Sequence, residues 1–171
     1  HDHNINVSGT EKNFPYRISY GFTDQQGILK NTGFARNSLN INLTPTFLDG
    51  DLKVTLTAKG TNTKNNFGAT GAVGAAVAFD PTQPVMDGNT TWGGYYTWIA
   101  TSSTLPNGQR DPNGVPIGLA TSNPVALVEQ TDNRSVANRG LINAQIDYRL
   151  KFLPELKLTA EAGIDFTSSE G

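Results

Sequence analysis

Residues 16–43 read YRISYGFTDQQGILKNTGFARNSLNINL. Tyr16, Ile18, Tyr20 and Phe22 share one parity, and Arg17, Ser19, Gly21 and Thr23 share the other. After a glycine-containing break the pattern resumes, with Leu39, Ile41 and Leu43 set against Ser38, Asn40 and Asn42. Successive side chains of a strand point to opposite faces, so period two over both halves predicts a strand pair with one apolar and one polar face. Whatever covers the apolar face, protein or lipid, decides the class of the molecule.

The same alternation recurs along the chain. His3, Ile5 and Val7 alternate with Asn4, Asn6 and Ser8, ahead of a break at Gly9–Pro15. Leu52, Val54, Leu56 and Ala58 follow the turn residues Pro45, Asp49 and Gly50. Ile142, Ala144, Ile146, Tyr148 and Leu150 precede a turn at Pro154, and a last strand presents Leu156, Leu158, Ala160, Ala162, Ile164 and Phe166. About six strands are therefore expected, with connections that run short, medium, short, very long, short. In a meander, alternate connections lie at the same end of the sheet. The short turns then gather at one end, and the loops at Asp24–Gly33 and about 62–138 at the other. Outer-membrane barrels sort their loops this way, and strands of about ten residues, tilted by roughly 40°, match their apolar band of about 25 Å.

Composition is compatible with that reading. Of 171 residues 36% are hydrophobic and 16% charged, and the mean hydropathy of -0.37 suggests a soluble chain. Alternation of apolar and polar residues cancels in such an average, so the value does not argue against a barrel. Arg17, Arg36, Lys53, Lys59, Asp147, Arg149, Lys157, Glu161 and Asp165 all fall on the polar parity. A net charge of -2 gives no basic field for nucleic acid. Six strands cannot close a transport barrel, which begins at about eight. The chain is therefore expected to be all-β: an antiparallel meander forming part of a large transmembrane β-barrel, with a long extracellular loop carrying short helices. Residues 1–171 would form one barrel segment. The alternative is a soluble or surface-attached glycan-binding or adhesive β-domain.

Several stretches together resemble a known family. They are the quoted segment, FDPTQPVMD before an aromatic-rich loop, NPVALVEQTDNRSVANRGLINAQIDYRL, and LPELKLTAEAGIDF. They are similar to the SusC/RagA-like, TonB-dependent outer-membrane transporters of Bacteroidetes, over nearly the whole chain. The resemblance implies a bacterial outer-membrane barrel with an internal plug, embedded in membrane lipid and energised through TonB. It also implies a SusD-like surface lipoprotein as partner and an oligosaccharide, or in some members a peptide, as cargo. The plug, the TonB box and the remaining strands are expected to lie outside this sequence.

The long loop holds the candidate binding residues. TTWGGYYTWIA places Trp92, Tyr95, Tyr96 and Trp98 within seven positions. Aromatic faces stack on the C–H faces of sugar rings, and their N–H and O–H groups add hydrogen bonds. The same rings could instead pack a small core of the loop itself or meet a partner protein. NFGATGAVGAAVAFDP predicts a short small-residue helix ending at Pro81. SNPVALVEQ predicts a second helix capped by Asn123, with Pro124 in its first turn. Gly68, Gly71 and Gly74 lack the following Gly-Lys-Ser/Thr of a phosphate loop. His1 and His3 share a strand face without a third ligand, so no metal is expected. Met86–Asn89 and Asp111–Gly114 are turn sequences. Glu161 and Asp165 lie about 13 Å apart along a strand, too far for a glycosidase pair. With no nucleophile–base pair in view, neither an enzyme nor a cofactor is expected.

Overall fold

The computed structural model describes residues 1–100, 104–107, 111 and 113–171. Six long strands form one antiparallel meander: β1 (Asp2–Glu11), β2 (Phe14–Gln26), β3 (Gly33–Leu43), β5 (Leu52–Asn66), β6 (Arg134–Arg149) and β7 (Lys157–Glu170). The two-residue β4 (Thr46–Phe47) pairs with the start of β5. Two short helices, α1 (Gly71–Ala78) and α2 (Pro124–Gln130), lie in the connection between β5 and β6. The chain divides into two compact units: the sheet, and a loop body made of Gly27–Thr32 and Phe67–Asn133.

The register carries the alternation across the whole sheet. Val7 pairs with Ile18, Ile18 with Ile41, Ile41 with Ala58, Ala58 with Ile142 and Ile142 with Ile164, one apolar row over six strands. The row on one side is Gly9, Tyr16, Leu43, Leu56, Ala144 and Ala162, and on the other Ile5, Tyr20, Leu39, Gly60, Gly140 and Phe166. Two further rows on the same face, through Val54–Ile146–Ala160 and Leu52–Tyr148–Leu158, continue towards the short turns. A slip of one residue would turn every apolar side chain to the polar face, so the pattern rules out odd shifts, and short turns such as Lys12–Asn13 between Glu11 and Phe14 fix the remainder. Gly140 leaves room for the Phe166 ring, which covers the gap: a Cβ there would lie 2.1 Å from Cζ of Phe166 and would displace the ring.

The apolar face has a sharp limit. One row beyond Gly60 it becomes His3, Phe22, Asn37, Asn62, Asn138 and Ser168, and the next row contains Asp24, Lys64 and Glu170. Tyr20 donates its hydroxyl proton to Asn37 Oδ1 at 2.7 Å, and Asn62 Nδ2 donates to Asn138 Oδ1 at 2.6 Å. On β5 the five apolar rows run from Leu52 to Gly60, about 27 Å at ~3.4 Å per residue.

The opposite face is polar and cross-linked between strands. Arg139 holds Asp165 through two nitrogens at 3.1 and 2.5 Å. Lys157 meets Asp147 at 3.0 Å and Arg149 meets Asp51 at 3.1 Å. Asn42 Nδ2 donates to Thr57 Oγ1 at 3.1 Å, and Asn143 Nδ2 to Glu161 at 2.7 Å.

Nothing in the sheet unit covers the apolar face. Ile5 is 67% exposed, Ile164 66% and Leu158 52%. Among the described residues the buried apolar side chains are Ala72 and Ile99 in the loop body and, in the sheet unit, Pro45 beside the β4 turn. No helix of the described residues is long and apolar enough to cross a membrane, which says nothing about crossing by strands.

Several boundaries differ from the sequence reading. The β1–β2 break is a two-residue turn at Lys12–Asn13, with Gly9 and Thr10 inside the ladder. β5 continues to Asn66 and β6 begins at Arg134, so the long connection is 67–133 and not 62–138. Polar residues such as Asn62 and Lys64 end the apolar alternation without ending the backbone ladder. β2 likewise runs to Gln26, which leaves 27–32 as its connection to β3. Through Gln26↔Gly33, Gly33↔Asn66 and Asn66↔Arg134, the two longer connections leave the sheet at one end, and the turns near Lys12, Asp49 and Pro154 lie at the other.

Candidate functional site

The loop body is built from short turns fixed by side chains. Asp80 accepts hydrogen bonds from the backbone N–H (2.9 Å) and hydroxyl (2.7 Å) of Thr82, and these donors hold its carboxyl below the usual carboxylate range. Asp87 Oδ1 accepts from Asn89 N at 2.9 Å, and Asn89 Oδ1 accepts from Thr91 N at 3.0 Å, capping a single 3-10 turn over Thr90–Trp92. Gly93 ends that turn at φ +66°, a left-handed conformation that a side chain would strain. Asp111 Oδ1 accepts from Asn113 N at 2.8 Å, as the Asp111–Gly114 turn requires, although Pro112 lies outside the described residues.

After the turn the chain runs extended through Trp98. Ile117 N donates to Trp98 O at 2.8 Å and Ala100 N to Val115 O at 2.9 Å, so residues 98–100 and 115–117 form a small ribbon. Ile99, 6% exposed, pairs with Pro116 there. α2 follows with Asn123 as its cap: Oδ1 accepts from Val125 N (3.0 Å) and Ala126 N (3.3 Å), while Nδ2 donates to Val85 O at 2.8 Å. At 5% exposure Asn123 is nearly sealed, and these bonds occupy both ends of its amide. The Gly27–Thr32 segment grips the same helix: Asn31 Nδ2 donates to Val128 O at 3.0 Å, and Lys30 pairs with Glu129, which raises the lysine pKa. Phe67 N donates to Asn133 O at 2.8 Å and ties the two ends of the long segment together.

The four aromatic candidates separate into two groups. Tyr96 stands edge-on between Phe79 (6.3 Å, 81°) and Trp98 (5.2 Å, 89°), a three-ring cluster of the loop's own. Trp92 ends the 3-10 turn, where its carbonyl accepts from Gln130 Nε2 at 3.0 Å, and Tyr95 forms a bridge with Met86. All four side chains are half-buried.

Tyr96 and Trp98 line a cavity of about 300 Å³, and Trp92 and Tyr95 do not. Its other walls come from the Pro116–Ile117 ribbon and from α2 with the segment before it, including Thr121, Ser122 and Gln130. Sequence reasoning singled out the rings and the Asn123 cap. It missed Thr121, Ser122 and Gln130, which sit far beyond Trp98 along the chain and carry no pattern that marks them. His3, considered for metal binding, stacks on Phe22 at 6.4 Å and 13°.

No protein-family model matches the chain. Over 173 aligned residues, however, it is 36% identical to the TonB-dependent receptor SusC of Bacteroides thetaiotaomicron, a match that covers 96% of this chain. The chain is a member of the SusC-like family. It spans 17% of the length of that receptor. The antiparallel meander and its few helices agree with a segment of a SusC-like barrel. Aligned over nearly all of its length, the SusC-like match takes in the sheet and the loop body together.

Proposed function

We propose that this chain is a wall segment of a TonB-dependent outer-membrane transporter, with the apolar face of the sheet against lipid and the polar face towards the lumen. The observation that carries the reading is the five-row apolar face, uncovered within the chain and bounded by an asparagine row. A soluble sheet would have to bury that face against a second layer. Lipid contact requires the band to be free of charge. In its five rows through β5, β6 and β7 every strand charge lies on the other side, Asp24, Lys64 and Glu170 fall beyond the asparagine row, and Glu11 sits at the β1–β2 turn. Kinship to SusC supports TonB as the energy source, reached through parts of the receptor beyond this segment.

On this reading the two longer connections, which carry the loop body, leave the sheet on the outer side of the membrane, the side from which an oligosaccharide or peptide cargo arrives and on which a SusD-like lipoprotein docks. Trp92, Tyr95, Tyr96 and Trp98 belong to that contact region, Tyr96 and Trp98 through the cavity they line. Uptake of labelled oligosaccharides and peptides by cells with the full-length receptor tests the proposal. Loss of the receptor gene, or of TonB, should abolish uptake of the native cargo. Trp98→Ala should reduce uptake several-fold at unchanged surface abundance. Uptake that persists without TonB would refute the transport reading.

A further inference from the structure

The cavity beside Tyr96 and Trp98 has a chemistry more specific than an aromatic patch. Tyr96, Trp98, Ile117 and Leu127 give it apolar wall. The half-buried Thr121 and the exposed Ser122 and Thr131 also line it, and among the described residues the hydroxyls of these three make no hydrogen bond to protein. Gln130 lines it as well, and since Nε2 is held by the Trp92 carbonyl, Oε1 remains as an acceptor. No acidic or basic side chain lines the cavity. The nearby charges of Lys30 and Glu129 are paired with each other.

We infer that this cavity is a binding site for a single uncharged, hydroxyl-rich ring of about monosaccharide size. Its volume of about 300 Å³ lies at the bottom of the range for ligand pockets, roughly 300–1,000 Å³. That accommodates one ring, and since the cavity opens to solvent beside the exposed Ser122, Gln130 and Thr131, an oligomer would seat one end or one branch in it. Apolar wall beside free hydroxyls suits a molecule with C–H faces and a rim of hydroxyls. A carboxylate would find no cation here, and an ammonium no anion, so charged rings and charged peptide side chains are disfavoured. The inference rests on the transport reading and narrows it to one subsite.

The test uses the full-length receptor, purified in detergent. Binding is measured by calorimetry against neutral glucan, mannan, galactan and fructan oligomers, with uronic-acid oligomers and short peptides alongside. Ala126 lines the cavity from α2, and Ala126→Leu fills it without touching the backbone N–H that Asn123 caps. Thr121→Val removes one hydroxyl at nearly constant volume. The wild type should bind a neutral oligomer. Ala126→Leu should weaken that binding about tenfold, the loss of one stacked and hydrogen-bonded ring, and Thr121→Val several-fold. Both variants should reach the outer membrane normally, and if Ala126→Leu does not, Thr121→Val decides. Wild-type affinity in the variants overturns the inference, as does a receptor that binds only uronic acids or peptides, or none of these probes. Uptake with and without TonB is scored separately, so a failed subsite is distinguishable from a failed transport reading.

Discussion

A lysine scan along β5 of the full-length receptor tests which face of the sheet meets lipid, and at what depth. Leu56 lies in the middle of the five apolar rows, paired with Leu43 and Ala144, about 13 Å of strand from either edge. A lysine at mid-depth on a lipid face costs roughly 2–4 kcal/mol, falling to about 0–1 near the interface. Leu56→Lys should therefore cost the upper amount. Asn62→Lys, on the same face but in the asparagine row, should cost about 0–1 kcal/mol plus its bond to Asn138. Thr57→Lys points to the other face and gives up the hydrogen bond from Asn42, about 1 kcal/mol. The assay is urea-driven unfolding and refolding in lipid vesicles, with heat-modifiable migration and surface abundance in cells as second readouts. The expected order of damage is Leu56→Lys well above Asn62→Lys and Thr57→Lys. Equal damage at 56 and 57, or a larger effect at 62 than at 56, would refute a lipid-facing register with its edge at the asparagine row.

Three further outcomes are expected. The isolated 171-residue segment should fail to fold as a monomer in water, because β1 and β7 carry unpaired edges and the apolar face is bare; a cooperative unfolding transition of a monomer without detergent would favour the soluble glycan-binding alternative. Asn123→Ala should cost about 1–3 kcal/mol locally by removing the α2 cap and the bond to Val85, read as faster proteolysis of the loop body at unchanged barrel migration; unchanged cleavage would count against the clasp. The Asp80 turn should loosen on acidification: its carboxyl pKa lies below the ordinary 3.8, so its contribution is full above that value and is lost as pH falls through the lower folded one. Protection of the Thr82 amide against exchange, corrected for intrinsic rate, should fall on the acid side in the wild type and stay flat in Asp80→Asn; parallel curves would refute the linkage.

What the sequence by itself determined is what backbone geometry makes local. Side chains alternate strictly along a strand, so Tyr16–Phe22, Leu52–Ala58 and Ile142–Tyr148 announced the strands and their two faces. The same alternation fixed the parity of the pairing, since any odd slip would have placed Arg17 or Lys59 among the apolar partners; it left even slips open, and the structure chooses Ile18 with Ile41 and Ala58 with Ile142. It did not locate the strand ends, because the ladder is made of backbone hydrogen bonds and runs on through Thr61–Asn66, where the side chains no longer alternate. Nor did it arrange the loop. Trp92, Tyr95, Tyr96 and Trp98 are near neighbours in sequence, yet a glycine at φ +66° and a bridge to Met86 separate the first two from the cavity. Phe79, Ile117 and Gln130 reach the same cluster from far along the chain. Pairwise proximity over such distances follows from how turns, caps and the Asn123 clasp close upon one another, and no periodicity records it.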